Sequence, residues 1–330
     1  MRHKRINFPK VSFLKLIIPV IFLLTASIIP QEIRFKHLTI NDGLSQNAVF
    51  AILQDSKGFM WFGTKDGLNR YDGYSFTVYQ HNSFDSTSIS DNYISSLFED
   101  SRGTIWVGTL SGGLNCFQRE TETFKRISYK SSASENLGNS EILSITEDSA
   151  GNIWAGTRGD GLLRLSIKNG KINNKQFVQQ KGIEKSLSSN IVSALYFDSG
   201  GTLWIGTEEG LNKFVSDEEN FVHYNIHTKN PNAPESPLDR SINSIHESRN
   251  GDLWLGTLSG IVKFERGSGN YKLFPHQFEI FRYGWGNIKN IIEDFSGNLW
   301  LSAPGELMMF DTESKSYTYF KNDPLNPQSV

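Results

Sequence analysis

One ten-residue phrase, DSKGFMWFGT at residues 55–64, recurs along this 330-residue chain. It returns as DSRGTIWVGT (100–109), DSAGNIWAGT (148–157) and DSGGTLWIGT (198–207), and in weaker form as SRNGDLWLGT (248–257) and DFSGNLWLSA (294–303). The tryptophans that anchor the copies, Trp61, Trp106, Trp154, Trp204, Trp254 and Trp300, stand 45, 48, 50, 50 and 46 residues apart. A period of that length restricts the chain to a repeat architecture. Each copy folds as one supersecondary unit and buries its apolar face only against its neighbours.

Each copy also predicts its own local structure. A hydrophobic run of strand character precedes the phrase, as at 49–53, 94–98 and 142–145. Asp-x-x-Gly then supplies a turn, because the carboxylate bonds backbone amides and glycine accepts positive φ. MWFGT and its equivalents give a second strand and LNRY (68–71) a third. FTVY (76–79), FKRI (124–127), FVHY (221–224), YKLF (271–274) and YTYF (317–320) give the fourth. Four short antiparallel strands per period of 45 to 50 residues make a β-propeller blade, so the expected fold is all-β. Blades are expected at about 47–79, 92–129, 140–180, 190–226, 240–276 and 286–320.

The two ends carry separate expectations. Residues 1–30 read as a signal peptide, with a basic start followed by the apolar run 16–29, interrupted at Pro19. That run falls short of the roughly 20 residues needed to span a bilayer. A retained amino-terminal anchor in the inner membrane is the alternative, and either reading exports the remainder, 33–330. IRFKHL (33–38) reads as a lone strand without a tryptophan phrase, the outer strand of a closing blade. FKNDPLNPQSV (320–330) matches YQHNSFDSTSI (79–89), the linker into blade two. The expectation is a seven-bladed ring truncated after its sixth tryptophan blade; a six-bladed ring with 33–38 packed at an edge is the other reading.

Composition narrows the function classes. Net charge is −2, and −7 once the first 30 residues are set aside, so no affinity for nucleic acid is expected. The lone cysteine, Cys116, excludes an internal disulfide. It stands where other repeats have Arg70 or Lys213, which predicts a surface strand position. The histidines form no Ser/His/Asp spacing or His/Glu ligand cluster. One Asp per blade is too sparse for calcium, which needs six to eight oxygens. No catalytic residue, metal or cofactor is therefore expected. The repeated tryptophans and Gly-Thr pairs read as inter-blade packing and scaffold.

Taken together, 42–73 and 88–117 resemble the two-component regulator propeller family, and the likeness extends over about 35–330. The resemblance implies a periplasmic sensor region of a hybrid two-component regulator. Such regions bind breakdown products of polysaccharides and signal through the membrane to a histidine kinase. No kinase motif or following membrane helix is visible here, so the partners implied are an oligosaccharide and kinase regions beyond this chain. A lyase or glycan-cleaving propeller enzyme, or an adaptor propeller without a small ligand, remain as rival readings.

In a repeat protein, binding residues belong where repeats differ on one shared face. The loop entering the first strand and the loop between the second and third emerge together. They give two columns: Asn47, Asn92, Ser140, Asn190, Arg240 and Gly286, and Lys65, Leu110, Arg158, Glu208, Leu258 and Pro304. Blade six departs most, with FRYGWGN at 281–287. Trp285, Tyr283 and Arg282 with Arg240 form a candidate aromatic and guanidinium platform for a saccharide. The same loop read the other way packs against a neighbouring domain. Arg158, Glu208, Lys65 and Asn92 complete the candidate ligand set.

Overall fold

The computed structural model describes residues 33–128, 140–168, 171–228, 237–276, 287–303, 305–323, 325–326 and 328–330. Within them lie six sheets, each of four antiparallel strands in sequence order. Blade one comprises Val49–Gln54, Met60–Thr64, Gly67–Tyr71 and Phe76–Tyr79. Blades two to six open with the inner strands Ile94–Glu99, Ile142–Glu147, Val192–Phe197, Ser244–Glu247 and Asn290–Glu293. They close with the outer strands Thr123–Ile127, Lys171–Phe177, Asn220–Tyr224, Tyr271–Pro275 and Ser316–Phe320. The inner strands pack side by side from blade one to blade six around a common axis. This is the expected propeller.

The phrase explains both the turn and the joint. Asp55 Oδ1 accepts the backbone N–H of Lys57 at 3.0 Å and of Phe59 at 2.9 Å, while Oδ2 accepts the Trp61 indole N–H at 2.9 Å. The indole bond recurs from Trp106, Trp154, Trp204 and Trp300 to Asp100, Asp148, Asp198 and Asp294 at 2.8–3.0 Å. Each ring is thereby aimed at the following blade. Trp61 lies edge-on to Phe117, Trp154 to Phe214, Trp204 to Phe264 and Trp254 to Phe310, with centroids 5.1–5.7 Å apart. Burial is nearly complete at Trp61, Trp106, Trp204 and Trp254, so the tryptophans are the inter-blade core.

Glycine in the Gly-Thr pair sets the spacing of the joint. A Cβ on Gly63 would lie 2.7 Å from Ile94 Cγ2, and one on Gly206 would lie 2.6 Å from the Ile242 carbonyl oxygen. The missing side chain lets the next inner strand seat. A second device ties the opposite face. Glu99 accepts the N–H and O–H of Ser56 on the preceding blade, both at 2.7 Å, and Glu147 and Glu247 repeat this with Ser101 and Ser199. Arg119 adds a clamp, reaching Asp55 across the joint and Glu99 on its own blade, each at 2.9 Å. Arg266 does the same to Asp198 and Glu247. Between blades two and three the clamp position holds Ile167, and a cavity of about 250 Å³ opens there.

One expectation is corrected. Cys116 is buried in the core between blades two and three, with Trp106, Ile142 and Leu165, rather than exposed on a surface strand. The third strand of blade two faces that joint, so a polar side chain is not required there, and burial pushes the thiol up. Residues 33–38, expected as a closing strand, pair in no ladder among the described residues. They nevertheless lie where an outer strand starts. Phe35 N–H donates to Gln328 O at 3.1 Å, as Phe124 does to Thr87 and Phe221 to Lys185. His37 reaches Ser329 O at 2.7 Å, as His223 reaches Ser186 O at 2.6 Å. Phe35 also meets Phe320 edge-on at 5.7 Å. Among the described residues, no inner-strand packing comparable to the other joints links blade six to blade one, and Ile52 and Ile292 are 61% and 66% exposed on the facing walls.

Candidate binding mouth at the axis

The loops before the first strand and between the second and third do share a face. Gly67 N–H donates to Asn92 O at 2.7 Å, and Leu110 N–H to Tyr93 O at 3.0 Å. Thr64 closes the second loop by donating to Gly67 O, three residues on, at 2.9 Å. Thr109 and Thr157 instead reach four residues on, to Gly113 and Gly161, at 2.8 Å, which accommodates the extra residue of blades two and three. The Gly-Thr pairs are scaffold.

The candidate residues separate on this face. Asn92 accepts the His81 N–H at 2.7 Å and donates to Asp66 at 3.3 Å, and Asn190 accepts the Gln179 N–H in the same way. Asn92 thus pins a linker to a loop. Lys65 is exposed and Glu208 half-buried at the rim. Arg240 pairs with Glu209 at 3.1 Å. Arg158 pairs with Glu141 on its own blade. Arg282, Tyr283 and Trp285, with Gly286 and Pro304, lie outside the described residues.

The structure adds two columns that sequence reasoning passed over. The residue before the aliphatic at the head of each inner strand (Val49, Ile94, Ile142, Val192, Ile242 or Ile288) is Ala48, Tyr93, Glu141, Ile191, Ser241 or Asn287. The residue after it is Phe50, Ser95, Leu143, Ser193, Asn243 or Lys289. In blades one to four a β-bulge at this second position turns the side chain out of the ladder. A residue of one column meets the other column across a joint. Phe50 packs on Tyr93 with centroids 4.6 Å apart, and Asn287 donates to Asn243 at 3.4 Å. The available signal was variability beside an invariant aliphatic, at Ile94, Ile142, Val192, Ile242 and Ile288.

Charged residues also stand in and beside these columns, Glu141 and Lys289 among them. Burial, and then Arg158, hold the Lys289 ammonium below its ordinary value, while Glu141 pulls it up. Burial raises the Tyr93 phenol, Glu141 adds to that and Arg158 opposes it. The mouth thus carries an aromatic pair and a guanidinium–carboxylate pair. No group of three or more His, Cys, Asp or Glu able to hold a metal occurs among the described residues.

Fold and mouth define a β-propeller with a polar, aromatic-walled opening on its axis. Five segments, 43–66, 88–111, 136–159, 186–209 and 236–259, match the two component regulator propeller family, and the chain belongs to it. Among curated proteins, histidine kinase P4 of Formosa agariphila is 55% identical over 56 residues. That match spans 17% of this chain and 4% of the kinase. Among solved structures, the extracellular domain of a hybrid two component system of B. thetaiotaomicron aligns with TM-score 0.73 and 24% identity, covering 91% of this chain and 38% of that one. A second such domain from that organism gives 0.66 and 20%, covering 89% and 39%. Virginiamycin B lyase from Staphylococcus aureus gives 0.61 and 14%, covering 83% and 84%. At these identities the solved structures speak to fold alone.

Proposed function

We propose that this chain is the exported, ligand-sensing input region of a hybrid two-component histidine kinase, binding an oligosaccharide at the axial mouth without catalysis. The observation that carries the reading is the variation at the mouth itself. Six similar blades differ there, where Phe50 packs on Tyr93 and Arg158 pairs with Glu141. An aromatic wall with a few oriented polar groups is what a sugar ring requires. The kinase relative supports the signalling half, and the extracellular neighbours support a periplasmic location. No helix of the described residues is long and apolar enough to cross a membrane. Signal transfer then requires that the ligand favour one arrangement of the receptor over another.

Residues 33–38 fit this reading as the outer strand of a seventh blade. Their bonds to Gln328 and Ser329 reproduce those that seat the outer strands of blades two and four. Isothermal titration of the chain against neutral and acidic oligosaccharide pools tests the proposal. Saccharide binding that Phe50→Ala weakens supports it. Failure of every pool to bind would instead favour an adaptor propeller.

A further inference from the structure

We propose that the cavity between blades two and three is a second binding site, for a small molecule with a single aromatic ring that packs against Trp106. In the other five blades the tryptophan meets the aromatic residue that ends its own outer strand, as Trp61 meets Tyr79 and Trp154 meets Phe177, with centroids 5.1–6.1 Å apart. In blade two that residue is Ile127, paired with Leu114 as Tyr79 is with Leu68. The tryptophan's partner on the third strand is reduced as well. It is an arginine, a lysine or a methionine elsewhere, and Cys116 here. Arg70 and Arg164 hold a guanidinium over the indole, 5.8 and 5.4 Å from its centroid. Across the joint Leu165 lies opposite Ile153 as Phe117 lies opposite Ile105, so no ring meets Trp106 edge-on either. Among the described residues Trp106 is the one repeat tryptophan without an aromatic neighbour.

The space that these side chains vacate is the cavity. Its volume is about 250 Å³, against about 150 Å³ for an apolar cavity that binds benzene. Trp106, Cys116 and Ile127 of blade two and Ile167 and Ile172 of blade three form apolar walls, while the exposed Arg102, Gln118 and Lys125 rim the opening to water. Asp100, the one carboxylate on the wall, already accepts the Trp106 indole N–H at 3.0 Å and Arg102 at 3.1 Å. An indole, a thiol and three isoleucines suit a flat apolar ring, with its substituents turned to the rim. Such a ring touches blades two and three together. It takes over at this joint the bridging that Arg119 and Arg266 perform at others, and its binding stabilises the folded chain by mass action. The site is separate from the axial mouth and does not depend on the saccharide reading.

The test titrates the full chain with benzyl alcohol and with cyclohexylmethanol, its saturated counterpart, followed by ligand-observed NMR and by the thermal transition. The expected result is saturable binding of benzyl alcohol, roughly fivefold tighter than cyclohexylmethanol, with a rise in melting temperature. Ile127→Phe restores the ring that the other blades carry. It is expected to weaken benzyl alcohol roughly tenfold or more while raising the melting temperature of the free chain. Cys116→Met fills the same space from the third strand, as Met309 does in blade six, and serves if Ile127→Phe fails to fold. Phe50→Ala, at the axial mouth, is expected to leave benzyl alcohol binding unchanged. Absence of saturable binding, or binding that the filled variant retains in full, overturns the site. Equal affinity for the two alcohols overturns the aromatic assignment.

Discussion

A carboxylate and an indole nitrogen, six residues apart, organise each blade. Blade five has Ser248 in place of the aspartate, and the Trp254 indole N–H has no hydrogen-bond partner among the described residues. The neighbouring acid Asp252 occupies the place of Asn152 and Asn298, which in blades three and six donate to the aspartate. Ser248→Asp combined with Asp252→Asn is expected to stabilise by about 1 kcal/mol, read as a higher denaturation midpoint in urea. Asp100→Ala removes bonds from an indole and two backbone amides and is expected to cost about 2–3 kcal/mol in the same measurement. Burial alone would raise the carboxyls of Asp55, Asp100, Asp198 and Asp294. The indole bonds and the other hydrogen bonds each carboxylate accepts outweigh it and hold all four below 3.8. Groups depressed in this way stabilise fully above their unfolded value and lose that stabilisation as pH falls through the folded one. The melting temperature should therefore fall below about pH 4, with a shallower acid slope in Asp100→Ala.

At the level of elements, four-stranded blades were legible because their signals are local: a turn phrase, alternating aliphatics and a closing aromatic run. Joints were only half legible. The tryptophans could be read as packing, yet the Glu99–Ser56 tie and the Arg119 clamp join residues 43 and 64 positions apart, a separation that no window in the sequence exposes. Cys116 was misread for the same reason, since its neighbours come from the next blade. The axial columns were missed because a β-bulge, invisible in composition, turns Phe50 and its equivalents out of the ladder. The absent clamp between blades two and three is testable. Ile167→Arg places a guanidinium within the design that Asp55 and Glu99 meet elsewhere, and is expected to add about 0.5–1 kcal/mol in thermal or urea unfolding. Loss of stability would show that Arg102, already bonded to Asp100 at 3.1 Å, fills that role.

Over the whole molecule, the walls between blades six and one set the expectation. Ile52 and Ile292 face outward there, while their counterparts at closed joints, such as Leu97 and Ile145, pack against a neighbouring blade. Ile52→Ser should change the stability of the present chain by no more than about 0.5 kcal/mol. In a longer product carrying a further repeat, the same change should cost about 2 kcal/mol or more, as for a buried aliphatic. Equal effects in both would refute a seventh blade seated on that wall. The joint has one more consequence, for descent. Gly63 seats Ile94 and Ser56 donates to Glu99, and the next joint repeats both pairings, Gly108 with Ile142 and Ser101 with Glu147. A recombination event that excised residues 94–141 would bring Ile142 to Gly63 and Glu147 to Ser56, restoring the same chemistry across the scar. Gene duplication and loss can thus change the number of blades without inventing a contact, and such a chain can grow by copying.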